Sequence, residues 1–259
     1  TPFAVISDKA NNRKYPIADY SLTPTVAIVD PALVLTVPGS VAADTGMDVL
    51  THATEAYVSQ MASDFTDGLA LQAIKLVFEN LESSVKNADF HSREKMHNAS
   101  TIAGMAFANA FLGISHSMAH KIGAQFHTIH GRTNAILLPY VIRYNGTRPA
   151  KTATWPKYNY YRADEKYQDI ARMLGLPAST PEEGVASYAK AVYELGERVG
   201  IEMNFKAQGV DEKEWKEHSR ELAFLAYEDQ CSPANPRLPM VDHMQEIIED
   251  AYYGDRKST

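Results

Sequence analysis

The sequence has 259 residues, of which 45% are hydrophobic, and its formal net charge is -7. This length and apolar content allow a globular protein with a sizeable core, in one large domain or one and a half small ones. The acidic balance leaves no basic stripe that could follow a phosphate backbone, so nucleic acid is excluded as a partner.

The first part of the chain has the pattern of extended structure. Runs at residues 2–7, 14–17 and 25–29, separated by polar turns, predict three short strands. Thr1 opens directly onto an apolar run without an initiator Met. We therefore expect a chain cut inside a folded element, with a segment missing upstream.

From about residue 40 the apolar positions recur at helical spacing, and helices are predicted to the end of the chain. A helical stretch after His116 is expected to end at Gly131, and residues 147–162 are predicted to form a long surface loop. The other predicted helices cover residues 65–85, with a cap near Ser63 or Asp64, and 92–110, 134–144, 165–174, 181–199, 211–227 and 241–253.

Neither a membrane nor an oxidising compartment fits this sequence. The most apolar stretch, residues 135–142, contains Pro139 and is far too short to cross a bilayer. The single cysteine, Cys231, cannot form an intrachain disulfide, and no signal-like segment opens the chain. These features favour a cytoplasmic location.

Five residues form a candidate metal-binding cluster. Asp48 and His52 are four residues apart, which places both on one face of a helix, about 5–6 Å apart at their Cβ atoms. His116 and His120 repeat that spacing, and His130 follows. Spacing alone leaves open which of the five are ligands, and an isolated histidine would more often cap a helix or lie half-exposed.

Imidazoles with one carboxylate suit a borderline ion such as Fe²⁺ or Zn²⁺, whereas Mg²⁺ and Ca²⁺ would require more oxygen ligands. An open coordination position would make such an ion a Lewis acid. A metalloprotease is excluded, because Ser117 follows His116 where that mechanism needs a glutamate.

Two segments resemble the signatures of the iron-dependent (group III) alcohol dehydrogenases. They are Gly46-Met47-Asp48-Val49-Leu50-Thr51-His52-Ala53 and Gly113-Ile114-Ser115-His116-Ser117-Met118-Ala119-His120, continuing to His130-Gly131. The resemblance covers essentially the whole chain, and residues 153–158 onward are similar to the alcohol dehydrogenase half of bifunctional aldehyde-alcohol dehydrogenases.

The resemblance implies a role for each residue of the cluster. Asp48, His52, His116 and His130 fall on the metal-ligand positions. His120 falls on the histidine between metal and nicotinamide, which makes it a candidate proton relay.

Other positions take roles from the resemblance as well. Phe107 falls on an aromatic position of the substrate pocket, and Cys231 lies in a loop near the nicotinamide in relatives, although a small buried filler is an equal alternative. Lys14 resembles a lysine that contacts the cofactor ribose. Thr1 resembles the last residue of a Thr/Ser-rich cofactor segment, and Leu33 is expected to pack nearby.

The resemblance also implies a fold and an organisation. The expected fold is mainly α: the all-helical metal-binding domain of the dehydroquinate synthase-like, iron alcohol dehydrogenase fold. Residues 37–259 would form this domain, and residues 1–36 would be a β-strand remnant of an N-terminal Rossmann-like nucleotide-binding domain. The Gly-rich phosphate loop of such a domain is missing from this sequence.

The expected function is NAD(H)-dependent, metal-assisted interconversion of a short aldehyde, such as acetaldehyde, and its primary alcohol, as part of a larger enzyme. The expected cofactors are Fe²⁺, with Zn²⁺ as an alternative, and NAD. The resemblance implies a homo-oligomer and allows filaments of the full-length bifunctional protein. The alternatives are a catalytically silent metal-binding or assembly fragment and, more remotely, a metal-dependent hydrolase.

Overall fold

The computed structural model describes residues 1–8, 13–149 and 161–254. Most of the predicted surface loop at residues 147–162 lies outside these ranges, so that prediction is not tested.

The described chain begins with two paired strands. β1 (Phe3–Asp8) pairs with β2 (Arg13–Ala18) in antiparallel register, with Phe3 opposite Ala18. The third predicted strand, at residues 25–29, is wrong: Val26 and Ile28 are 75% and 85% exposed and belong to no ladder. An extended segment becomes a strand only where another strand takes its backbone hydrogen bonds, and the described residues offer it none.

The mainly α fold is confirmed. The α-helices of the described residues are α1 (Gly39–Val58), α2 (Asp64–Lys86), α3 (Phe90–Ala110), α4 (Ile114–Phe126), α5 (His130–Gly146), α6 (Ala163–Met173), α7 (Pro181–Arg198), α8 (Glu212–Tyr227) and α9 (Val241–Tyr253). Short 3-10 turns occur at Tyr20–Leu22, Pro31–Val34 and Ser232–Ala234.

α1 is the central helix of the fold. It packs against α2, α3 and α5 and touches α6. Its buried residues lie on all sides of the helix, which is the pattern of a helix surrounded by others. A row of alanines at positions 99, 103, 106 and 110 of α3 is fully or almost fully buried, and such small side chains let helices approach closely.

The helix boundaries were partly predictable. α2 begins where expected, because Ser63 and Thr66 form a reciprocal capping box. The predicted helix end at Gly131 is wrong. α4 already ends at Phe126, where His127 adopts a left-handed φ of +55°, and Gly131 lies in the first turn of α5.

Within the described residues, no one helix has the length and apolarity needed to cross a bilayer. α3 and α4 meet that criterion only when taken together, and they are bent by 107° at the break between them.

Candidate metal centre

Three helices bring Asp48, His52, His116 and His130 together. Asp48 Oδ1 lies 3.7 Å from His116 Nε2 and 3.7 Å from His130 Nε2. Asp48 Oδ2 lies 3.9 Å from His52 Nδ1. The carboxylate of Asp48 is thus the centre of the cluster, with one imidazole from its own helix and two from α4 and α5.

The donor set fits a divalent metal ion. Two ligand atoms that each bind one ion at roughly 2.0–2.2 Å are separated by at most about 4.4 Å, and all three distances from Asp48 lie within that limit. Asp48, His52 and His116 also each offer a ligand atom within 4.8 Å of the others.

A buried nitrogen provides a second indication of a metal. His116 is 1% exposed, and its Nε2 has no hydrogen-bond partner among the described residues. A buried polar atom without a partner is costly, by about 1–3 kcal/mol, unless something else satisfies it. An ion coordinated by this nitrogen and by Asp48 would do so.

Backbone geometry aligns the ligands. α3 ends at Ala110, and the next residue, Phe111, has a φ of +61° in the sharp bend of 107° between α3 and α4. On the other side, Gly131 allows α5 to approach α1 so closely that a Cβ at this position would clash with the carbonyl group of Asp44. His130 precedes that glycine and is therefore held against Asp48.

Asn134 joins two of the candidate ligands. It is fully buried one turn after His130, and its Nδ2 donates to Asp48 Oδ1 at 2.8 Å. Burial opposes ionisation of Asp48, but this hydrogen bond and the attraction of His52, His130 and His116 in their protonated forms outweigh it, so the pKa of Asp48 is lowered. The carboxylate is thus ionised, as a metal ligand must be.

Glu55 holds the opposite side of the His116 ring. Its Oε2 lies 2.6 Å from His116 Nδ1, and its Oε1 accepts the Ser115 amide at 2.7 Å. Burial raises the pKa of Glu55 to about 7, against the lowering effect of backbone amides and His52. Burial likewise lowers the pKa of His116 well below its ordinary value, which favours the neutral imidazole that a metal requires.

His120 has a carboxylate partner of its own. Its Nδ1 lies 3.1 Å from Asp229 Oδ2, and the Lys121 ammonium group lies 2.8 Å from the same oxygen. Burial disfavours the charge of Asp229, but hydrogen bonds and charges of His120 and Lys121 prevail and lower its pKa. The ring of His120 stacks on His130, with centroids 5.5 Å apart.

The two pocket candidates flank the cluster on different sides. Phe107 stacks on His52 with centroids 4.6 Å apart and an interplanar angle of 16°. Cys231 is buried beside His120 and Asp229, and burial raises the pKa of its thiol well above the ordinary value. A raised pKa favours the neutral thiol of Cys231 over a nucleophilic thiolate.

The structure does not test the three cofactor candidates, Thr1, Lys14 and Leu33, as a site. Thr1 lies against α3, where its methyl group would be 3.4 Å from a Cβ at Gly104. Leu33 is 73% exposed in the turn before α1. The backbone of Lys14 belongs to β2, while its side chain is outside the described atoms. All three stay predictions.

Glu55, Asn134 and Asp229 are polar contacts of the cluster that sequence reasoning missed. Helical spacing could have found two of them, because Glu55 follows Asp48 by seven residues and Asn134 follows His130 by four. Asp229 is 109 residues away from His120, and no spacing rule connects them.

Known proteins are similar to this chain in sequence. Residues 42–252 match the model of the Fe-containing alcohol dehydrogenase family, C-terminal. An aldehyde-alcohol dehydrogenase of Streptococcus pneumoniae serotype 2 (strain D39 / NCTC 7466) is 97% identical over 254 residues, which are 98% of this chain and 29% of that protein. The chain therefore spans less than a third of that relative's length.

Solved structures share the fold. A 1,3-propanediol oxidoreductase superposes with a TM-score of 0.85 at 34% identity, over 97% of this chain and 62% of that chain. A sulfoacetaldehyde reductase from Bifidobacterium kashiwanohense, in complex with NAD+, superposes with a TM-score of 0.80 at 28% identity, over 98% of this chain and 61% of that chain. The fold expected from the sequence resemblance is confirmed.

Proposed function

Because this chain belongs to the iron-containing alcohol dehydrogenase family, we propose that it carries the metal half of an active site that interconverts a short aldehyde and its primary alcohol with NAD(H). The expected substrate pair is acetaldehyde and ethanol. The observation that carries the proposal is the convergence of Asp48, His52, His116 and His130, with the buried Nε2 of His116 among them.

Fe²⁺, or Zn²⁺ in its place, would be held by these four residues. When bound, the ion supplies a Lewis acid for the substrate oxygen, and the nicotinamide supplies or accepts the hydride. The bound cofactor of the sulfoacetaldehyde reductase supports NAD as the partner. The remaining chemistry belongs to side chains of this chain.

We assign the proton step to His120. Its Nδ1 is engaged with Asp229, so Nε2 is the nitrogen that can give or accept a proton. The side chain is 20% exposed, and its ring lies against His130 at the edge of the cluster. A histidine in this position can deliver a proton to the substrate oxygen during aldehyde reduction. During alcohol oxidation it can remove the proton from the hydroxyl group.

Phe107 would exclude water and limit substrate size. Its ring covers His52, and the ring of Phe3 lies 5.7 Å away on β1. Apolar rings beside the metal ligands would leave space for a short alkyl chain and would strengthen the electrostatic interactions of the site by lowering its dielectric constant.

The residue boundaries of the proposal follow the sequence: residues 37–259 as the helical metal-binding domain and residues 1–36 as the β remnant of a nucleotide-binding domain. The 29% coverage of the Streptococcus relative supports the view that this chain works within a larger enzyme, for which we propose a cytoplasmic homo-oligomer.

The decisive experiment compares this chain with the full-length protein that contains it. Both are loaded with Fe²⁺ under anaerobic conditions, their metal content is measured, and NADH oxidation is followed with acetaldehyde. We expect metal in both and turnover in the full-length protein. Metal binding without turnover in either would favour a silent metal-binding fragment, and absence of metal from both would overturn the proposed site.

A further inference from the structure

Glu55 lies on the same face of α1 as Asp48 and His52, two turns beyond Asp48. It is 2% exposed, although a carboxylate is rarely buried without partners. Both of its oxygens are used: Oε1 accepts from the Ser115 amide, and Oε2 meets the Nδ1 atom of His116. One side chain of α1 therefore contacts both the start of α4 and the histidine on its first turn.

The start of α4 needs a cap from elsewhere. Gly113 occupies the N-cap position and has no side chain to accept the first amides of the helix. Instead, Asn235 Oδ1 accepts from Ile114 at 3.4 Å, and Glu55 accepts from Ser115 at 2.7 Å. A Cβ at Gly113 would lie 2.9 Å from Glu55 Oε1, so only glycine lets the carboxylate come so close.

The contact with His116 decides where the imidazole carries its proton. When Glu55 is ionised, its carboxylate can only accept a hydrogen bond, so Nδ1 is then the protonated nitrogen. The lone pair of the ring is then on Nε2. This is the atom that is buried, without a hydrogen-bond partner among the described residues, and 3.7 Å from Asp48.

We infer that Glu55 is a positioning residue that fixes the tautomer and orientation of His116, so that its Nε2 can bind the divalent metal ion. The inference rests on the metal site of the proposed function and adds a residue to it. Carboxylates that hold the second nitrogen of a ligating histidine commonly account for a 10–100-fold change in metal affinity.

A purely structural role for Glu55, as the cap of α4, makes a different prediction. Glu55→Gln keeps the shape and keeps an oxygen that can accept from Ser115. Its amide NH₂ would then face His116 Nδ1 and force that nitrogen to become an acceptor, which places the ring proton on Nε2. Capping of α4 would survive this change, but His116 Nε2 would be protonated and could not bind a metal ion.

The test uses Zn²⁺ as the probe, bound to the full-length protein and titrated against a chelator. We expect Glu55→Gln to weaken Zn²⁺ binding by 10–100-fold, with the far-UV circular dichroism of the metal-free protein unchanged. The matched control is Asn235→Ala, which removes the other acceptor at the same helix start without touching His116. Its thermal midpoint should fall, but the Zn²⁺ affinity of its folded form should stay within about threefold of wild type.

If Glu55→Gln binds Zn²⁺ as tightly as wild type does, the inference is overturned. It is also overturned if Glu55→Gln and Asn235→Ala lose the same amount of Zn²⁺ affinity, because Glu55 would then act only as a helix cap. Glu55→Asp is the second variant, to be used if Glu55→Gln does not fold. It withdraws the carboxylate from His116 by one methylene, so unchanged Zn²⁺ affinity in this variant would also contradict the inference. Because the readout is Zn²⁺ affinity, an inactive enzyme with tight wild-type binding would refute the proposed function and leave this inference standing.

Discussion

Gly131 on α5 and Asp44 on α1 are packed backbone to backbone. A methyl group at Gly131 would clash with the carbonyl oxygen of Asp44 and would lie 3.1 Å from the Cβ atom of Asp48. The atoms in the way are main-chain atoms of the central helix, which cannot move aside as a flexible side chain could. This contact sets the distance between His130 and Asp48, which belong to different helices.

Gly131→Ala should therefore push α5 away from α1. We expect a loss of about 1–3 kcal/mol in the free energy of unfolding from overpacking and a clear loss of metal affinity, measured by urea unfolding and chelator competition. Gly68→Ala is the matched control, since it lies on the exposed side of α2 with open space around it. The free energy of unfolding of Gly68→Ala should rise by about 0.5–1 kcal/mol, and its metal affinity should not change. Equal stability of the two variants would contradict the packing argument.

His130→Ala should remove most of the metal retained by the protein. One of four protein ligands is lost, and affinity depends on all of them being in place. Metal content after gel filtration in the presence of a weak chelator provides the measurement. His91→Ala, an exposed position at the start of α3, should keep wild-type content, and unchanged metal in the His130 variant would eliminate it as a ligand.

The sequence was sufficient to find the cluster because a helix converts spacing into proximity. Asp48 and His52 share a face of α1 for that reason, and the three further histidines are close in the chain. Spacing could not separate the proposed ligands from His120, because His120 meets the same helical criterion as His116. The structure places the Nε2 atom of His116 3.7 Å from Asp48 Oδ1, whereas the carboxylate contact that it gives for His120 is with Asp229.

The two incorrect predictions have the same origin, since each concerns a contact across the fold. Residues 25–29 have strand-like composition but no partner strand in the described chain, and pairing is not a local property. Gly131 reads as a helix terminator because glycine often follows the end of a helix. In the structure, a glycine is required at position 131 because the backbone of Asp44 packs against it. Asp44 is 87 positions earlier in the chain, so no local pattern could indicate this contact.

Phe107→Ala should widen the substrate preference of the full-length enzyme. Removing a ring that stacks on His52 opens space beside the candidate metal ligands. Each further methylene of the substrate that an apolar pocket accommodates stabilises the transition state by about 1–3 kcal/mol. We expect kcat/KM for butanal to rise relative to acetaldehyde by about tenfold. Phe111→Ala is the control, because it also contacts Phe3 but is not stacked on His52; a similar change in both variants would remove Phe107 from the pocket.

Asp229→Asn should slow turnover and should remove the contribution of Asp229 to the acid dependence of stability. His120 and Lys121 both meet Oδ2 of Asp229, and asparagine can present an oxygen at that place, but it lacks the negative charge that attracts them. If His120 relays the proton, kcat should fall more than KM changes, since the relay acts in the chemical step. A variant with altered KM and normal kcat would assign Asp229 to substrate binding.

The acid dependence has a definite sign. The pKa of Asp229 is lower in the folded protein than in the unfolded chain, where an aspartate titrates near about 3.9. As the pH falls towards that value, the unfolded chain binds more protons than the folded one. The stability from Asp229 is therefore complete above about pH 5 and is lost as the pH falls further. At pH 7 we expect wild type to exceed Asp229→Asn by about 1–3 kcal/mol in the free energy of unfolding. Chemical unfolding of the metal-free proteins at about pH 7, 5 and 3 should show this difference persist to about pH 5 and shrink at about pH 3. A difference that stays constant through that range would mean that Asp229 contributes through packing and not through its charge.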